Sequence, residues 1–364
     1  MRKIVVVACV AAVSTMSVLA DTLTWKGGST GRFTQSLNWT SADSGTTSIS
    51  GPQPGDTVKF IYDVELDGET FDISSAGLII ENSSTLINKV VFTGSGKIVK
   101  RGNGELKVKS ICTHAGGTRV EAGRMNFCER TIKSFGTGKI EVVCDGTSND
   151  HASLSFTAWN CGLTNAVEIV GAASGCQPLY CSNPAVLSGS IFSDGDFTIY
   201  NDWGSFKITG PVNAHGHVLT AHCVDLNNGT HLNITSAIDA SLVKSGARSM
   251  RLSGVSTQID ASLTVNDGEL IFDPAAVWGG TNVVVDGATS ELTASAVGNF
   301  PMPPIVKLLN GGRLNISNSA LIVTELWIGD VRQTDGCYMP GDFPGSVTGT
   351  GGLLPLAFRV SSVI

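Results

Sequence analysis

The chain has 364 residues and a formal net charge of −7, and only 15% of it is charged, against about 25% in an average protein. Nucleic acid is therefore not an expected partner, because gripping its backbone takes dense Lys and Arg. Glycine, at 43 residues, stands well above its usual share of roughly 7%; with abundant Thr, Ser and Val it points to an all-β chain with many turns.

Residues 1–20 read as a secretory leader. Arg2 and Lys3 open it, an apolar run starts at Ile4, and Val18-Leu19-Ala20 puts compact residues one and three places before a cut. A lipoprotein cut at Val6-Val7-Ala8-Cys9 would leave too short an apolar segment. The apolar stretch is interrupted by Ser14 and Ser17, so it does not read as a bilayer span. The expected location is outside the cell or on its surface, with no transmembrane segment after leader removal. Of nine cysteines, Cys9 leaves with the leader and an even number remains, as suits an oxidising compartment. No C-x-x-C pair occurs, which excludes zinc-ribbon and thioredoxin chemistry.

Beyond the leader the apolar period is two. An opening module is expected over 21–68, where Val58, Phe60, Val64 and Leu66 alternate with polar residues. Trp25 and Trp39 are expected to close the bare end of a stack. Over 69–303, the expected solenoid repeats, and once beyond them, one unit recurs: glycine, any residue, apolar, any residue, apolar. It begins at Gly104 (Leu106, Val108), Gly123 (Met125, Phe127), Gly138 (Ile140, Val142) and Gly195 (Phe197, Ile199). Further copies begin at Gly204 (Phe206, Ile208), Gly268 (Leu270, Phe272) and Gly312 (Leu314, Ile316). The residues between, such as Glu105, Arg124 and Lys139, are polar and face the other way. One such strand cannot bury its apolar face; stacked copies can. The expected fold is a right-handed parallel β-helix, a β-solenoid, with a closing module over 304–364. The close-set Gly195 and Gly204 units predict a local hairpin or a very short coil side.

A longer motif encloses the short one. "GSGKIVKRGNGELKVKSICTHAGGTRVEAGRMNF" resembles the autotransporter-associated β-strand repeat of bacterial exported proteins. Gly94, Gly96, Lys100, Gly102, Gly104, Leu106, Gly116, Gly117, Thr118, Val120, Gly123 and Met125 fall on that pattern. A copy ending at Phe272 is looser, with Ala261-Ser262 where paired glycines belong. "TWKGGSTGRFTQSLNW" with "PGDTVKF", and "VKLLNGGRLNIS" with "TELWIGDVRQTDGCY", resemble the modules that open and close such repeats. The resemblance implies a passenger-like solenoid. The short stretch after "LNIS" has no room for the membrane barrel that true autotransporters carry.

Candidate chemistry is sparse. His215, His217 and His222, with Cys223, are the candidate metal ligands, although Gly216 and Leu219 also suit an ordinary turn and strand. Asp225, Asp260, Asp267 and Asp286 are scattered acids that suit turns better than a calcium site. Lys97, Lys100, Arg101, Lys107 and Lys109 form a basic run that alternation places on exposed faces. No G-x-S-x-G or triad spacing occurs, and no cofactor is expected. Trp203, Trp278 and Trp327 would need to be exposed to stack on sugars. Cys112, Cys128, Cys144, Cys161 and Cys176 recur at intervals of 16, 16, 17 and 15. That interval predicts a coil of about 16 residues with stacked cysteines. The candidate disulfides are then Cys112–Cys128 or Cys144–Cys161, with Cys176–Cys181 across the Pro178 turn. The expected role is a non-enzymatic structural or adhesive module whose partner is a surface polysaccharide or an extracellular protein. The alternatives are a polysaccharide lyase or glycoside hydrolase, or a glycan-binding module, on the same fold.

Overall fold

The computed structural model describes residues 20–42, 50–130, 135–144, 152–172, 175–224, 232–317, 321–334, 338–351 and 353–355. They form a β-solenoid of parallel, stacked coils. A complete turn, such as the one made by Ile191–Ser193, Phe197–Asn201 and Phe206–Ile208, lays one strand on each of three faces. The first face starts with Thr22–Trp25 and climbs through Thr57–Phe60, Leu78–Asn82, Ile98–Arg101, Thr118–Val120, Ile140–Val143 and Val167–Val170. The second climbs from Val64–Leu66 through Glu105–Val108, Arg124–Phe127, Ser153–Phe156, Leu179–Cys181 and Phe197–Asn201 to Glu325–Ile328. The third runs from Cys161–Leu163 to Val347–Gly349. The ladders cross residues 68/69 and 303/304 without a break.

Register makes the core. Leu86, Leu106, Met125, Leu154, Leu179 and Ile199 lie one over the next, and all are fully buried. The apolar pairs of every glycine-led unit named above point inward in this way. Phe127 lies over Phe156 with rings parallel and centroids 5.6 Å apart. Such rows place like side chains at strand spacing, so one turn's apolar stripe is covered by the next. The Gly195 and Gly204 units are not a hairpin. They form the second-face and third-face strands of one turn, so the short-side alternative holds.

The first end of the stack carries an antiparallel exception. Trp39–Ser41 folds back on Thr22–Trp25, with Trp25 opposite Trp39. The two indoles meet edge to face at 5.0 Å, and Phe33 and Phe60 pack on them. Both indole N–H groups are satisfied internally, Trp25 by Gly28 O and Trp39 by Phe33 O, each at 2.7 Å. The tryptophans thus close this end, as expected of a strand that would otherwise template aggregation.

Corners are tight where backbones of successive turns touch. A Cβ on Gly254 would stand 1.7 Å from Ser236 O, whereas one on Gly298 would meet nothing within 4 Å. Gly254→Ala should therefore lower unfolding free energy by more than about 3 kcal/mol, with Gly298→Ala within about 0.5 kcal/mol of wild type. Chemical denaturation of both variants checks this; equal losses would refute the close stacking of these corners.

Candidate functional site

The basic run is not a free cationic face. Lys97 bonds Glu141 at 3.0 Å and Arg101 bonds Glu121 at 2.7 Å. Lys107 lies 3.5 Å from Glu105, and Lys109 lies 3.4 Å from Glu129. Glu141 also receives Lys139 at 3.1 Å and Arg119 at 3.4 Å. Burial pushes the Glu141 carboxyl up, but the surrounding Lys97, Lys139 and Arg119 outweigh it and hold the pKa below its ordinary value.

Lys100 corrects the alternation reading. It sits in an inward row of the first face, over Ile80 and under Val120, and is fully buried. The Ile98–Arg101 strand ends at the Gly102 corner, so a long side chain at this position can turn toward that corner from inside. Its Nζ donates to Arg101 O at 2.8 Å, Gly102 O at 2.6 Å and Ala122 O, one turn up, at 3.0 Å. Burial alone drags the Lys100 pKa down to about 7. Three carbonyl acceptors oppose that pull, because only the ammonium has three N–H groups to give them.

A second copy of this clasp went unread in the sequence. Lys244, also buried, donates to Ser245 O at 2.9 Å, Gly246 O at 2.6 Å and Asp267 O at 2.9 Å. Both lysines precede a glycine by two residues, and both glycines are left-handed, Gly102 at φ 74° and Gly246 at φ 77°. The legible signal was the shared Lys-x-Gly spacing.

The histidines do not converge. His215 Nδ1 lies 3.1 Å from Asp239, His217 lies 3.7 Å from Asp196, and His222 meets Ser245 Oγ at 2.9 Å. Leu219 is in the core, and Gly216 makes the left-handed corner between first and second faces. Among the described residues no group of three His, Cys, Asp or Glu side chains could hold a metal ion. Asp267 and Asp286 accept from Thr289 and Asn310 across neighbouring turns; Asp225 lies outside the described residues.

The cysteine ladder is also corrected. Cys144 bonds Cys176, Cα–Cα 6.0 Å, so neither Cys144–Cys161 nor Cys176–Cys181 forms, and Cys112 and Cys128 are not bonded to each other. The strand above Cys144 is Val167–Val170, whose Val170 O accepts the Cys144 N–H. The chain leaving that strand brings Cys176 alongside, while Cys161 begins the third face. Every turn pairing Leu86 through Ile199 is longer than sixteen residues, so the interval between cysteines is not the coil length.

Of the tryptophans named as sugar platforms, Trp278 is fully buried, while Trp203 and Trp327 are half-buried. Trp203 packs edge to face on Trp159, 5.2 Å away.

A different constellation lies on the outside of the second face. Arg124 is exposed and rests over the Tyr180 ring, 5.2 Å from its centroid. Tyr180 stacks on Tyr200 at 5.6 Å, and Tyr200 meets the His222 ring at a tilt, 5.0 Å between centroids. The intervening turn has only Ser153 and Ser155 facing out, so Arg124 can reach diagonally across it. Ser155 is fully buried and its hydroxyl has no partner. Arg124, Ser153, Gly175, Gln177 and Tyr180 line a groove of about 370 Å³. Gly175 also borders a second hollow, lined by Asp196, Thr198 and Thr220. A guanidinium held by its face on an aromatic ring leaves its N–H edge open to a planar oxyanion. Burial first, then the hydrogen bond to Asp202, raises the Tyr180 pKa to about 12, so the phenol is neutral and stays a donor.

Comparison with family models, with curated proteins and with solved structures finds no match to this chain.

Lys100→Met should leave three carbonyls without their donor. The expected loss is about 2–4 kcal/mol of unfolding free energy, measured by denaturant titration. A loss below about 0.5 kcal/mol would mean that the clasp does not hold the corner.

Proposed function

We propose that the chain is an exported, non-catalytic rod with a structural or adhesive role at a cell surface, the passenger-like kind that the repeat resemblance implies. The carrying observation is the fate of its charges. Lys97, Arg101, Arg119 and Lys139 are engaged by carboxylates on their own turn or on turns one or two away, and the buried lysines hold corners. These groups brace the stack, and braced groups are poorly placed to act as acid or base on a substrate.

The adhesive contact in this reading is the Arg124–Tyr180 groove, and its ligand is a sugar bearing one carboxylate. Arg124 has no carboxylate partner among the described residues. Ser153, Gln177, Thr198 and Thr220 offer hydroxyl and amide groups suited to sugar hydroxyls. A single acidic group fits better than a polyanion, because the net charge of −7 repels the latter at long range.

Calorimetric titration with a glucuronate-terminated trisaccharide tests the contact. Arg124→Ala should weaken binding at least about tenfold, and Arg124→Lys by nearly as much, since lysine cannot offer a fork. Equal binding by Arg124→Ala, or preference for the methyl ester of the same sugar, would refute the site. Release of shortened products from a panel of polysaccharides, abolished by a single substitution, would sink the non-catalytic reading instead.

A further inference from the structure

At the first end of the solenoid lie two carboxylates that pair with no cation among the described residues. Asp56 is 2% exposed. Its Oδ1 accepts the Asp21 backbone N–H at 2.8 Å, and its Oδ2 accepts the Gln53 N–H at 2.7 Å. Asp21 is bound on its other sides too. Its carboxylate accepts Ser41 Oγ at 3.1 Å, and its carbonyl accepts the Thr57 N–H at 2.9 Å. It thereby ties the antiparallel cap strand to the first true turn. Among the described residues neither Asp21 nor Asp56 makes an ion pair. Burial raises the Asp56 pKa, the two backbone N–H donors only partly offset it, and the nearby Asp21 carboxylate adds to the rise.

The nitrogen facing this buried carboxylate belongs to the residue that follows the expected leader cut. We infer that removal of residues 1–20 creates an Asp21 α-ammonium that forms a buried ion pair with Asp56, and that this pair locks the N-terminal cap. The inference rests on the export reading, which places the cut after Ala20. Hydrolysis of the Ala20–Asp21 bond consumes one water. It leaves a carboxylate on Ala20 and an amine on Asp21, and the amine takes up a proton at neutral pH because an α-amine ordinarily titrates near about 8. One amide N–H becomes three charged N–H donors at a site that already holds Asp56 Oδ1 at 2.8 Å. Before the cut, Asp56 is a desolvated acid met only by neutral donors. After it, the charge is matched within hydrogen-bond distance, the condition under which a buried carboxylate stabilises a fold. The cap is thus weak in the precursor and firm in the processed chain.

Four proteins test this: the chain beginning at Asp21, the chain retaining Val18-Leu19-Ala20 before Asp21, and Asp56→Asn in each of the two. The chain beginning at Asp21 should melt about 4–7 °C above the extended one and should protect the Thr57 amide from hydrogen exchange more strongly. Asp56→Asn costs one backbone N–H its acceptor in both chains, so it should lower both melting points, and that of the chain beginning at Asp21 by clearly more. The extended chain keeps Asp56 intact, so the comparison survives if Asp56→Asn fails to fold. Equal melting and equal Thr57 protection in the first two chains would overturn the ion pair while leaving export standing. Sequencing of the mature N-terminus separates the two ideas: a start other than Asp21 overturns both the cut after Ala20 and the ion pair built on it.

Discussion

Everything in this molecule depends on parallel stacking in register. When residue lies over residue one turn away, a single inward position becomes a row, and each row must be chemically tolerable along its length. Leu86 to Ile199 on the second face is such a row. The hydrophobic gain is realised only between turns, so no turn has a core of its own. The two ends then become the vulnerable places. The Trp25–Trp39 cover, with its antiparallel strand, answers that at one of them.

Corners are the second consequence. At each one the backbone leaves the ladder while still packed under the next turn, and its carbonyls and N–H groups need partners there. Buried side chains supply them. Lys100 and Lys244 each gather three carbonyls. Asn165 takes the Gly136 and Gly138 carbonyls and accepts the Phe135 N–H. Asn299 bonds Asp273 O and Ala276 O. Polar side chains inside this solenoid therefore belong to its architecture, and the chemistry open to a ligand is left to the outer rows.

Outer rows follow the same register but answer to water. On the first face one outer row alternates in sign, with Lys59 against Glu81 and Arg101 against Glu121. Surface pairs of this sort contribute little individually, yet they leave no excess charge to recruit a polyanion. On the second face the outer row turns aromatic, from Tyr180 to Tyr200 to His222, and Arg124 extends that column with its donor edge outward.

The sequence by itself determined the period, the turns and the inward residues. Glycine-led alternation is a local property, and it turns Leu106, Val108, Met125 and Phe127 to the face opposite their polar neighbours, into the core. It also held the end cover, since two tryptophans in an opening stretch have few other uses. Three things were decided only in the tertiary structure. Lys100 reads as an outward charge by its composition, but its position in the row and the carbonyls of the next turn draw it inside. Cys144 met Cys176 because turn lengths vary, so spacing along the chain does not measure height along the stack. Arg124 and Tyr180 are far apart in sequence and meet only because Ser153 and Ser155, in the turn between, are small. Local pattern reports which face a residue takes; which residue it meets depends on the lengths of all the loops in between, and no short stretch encodes those.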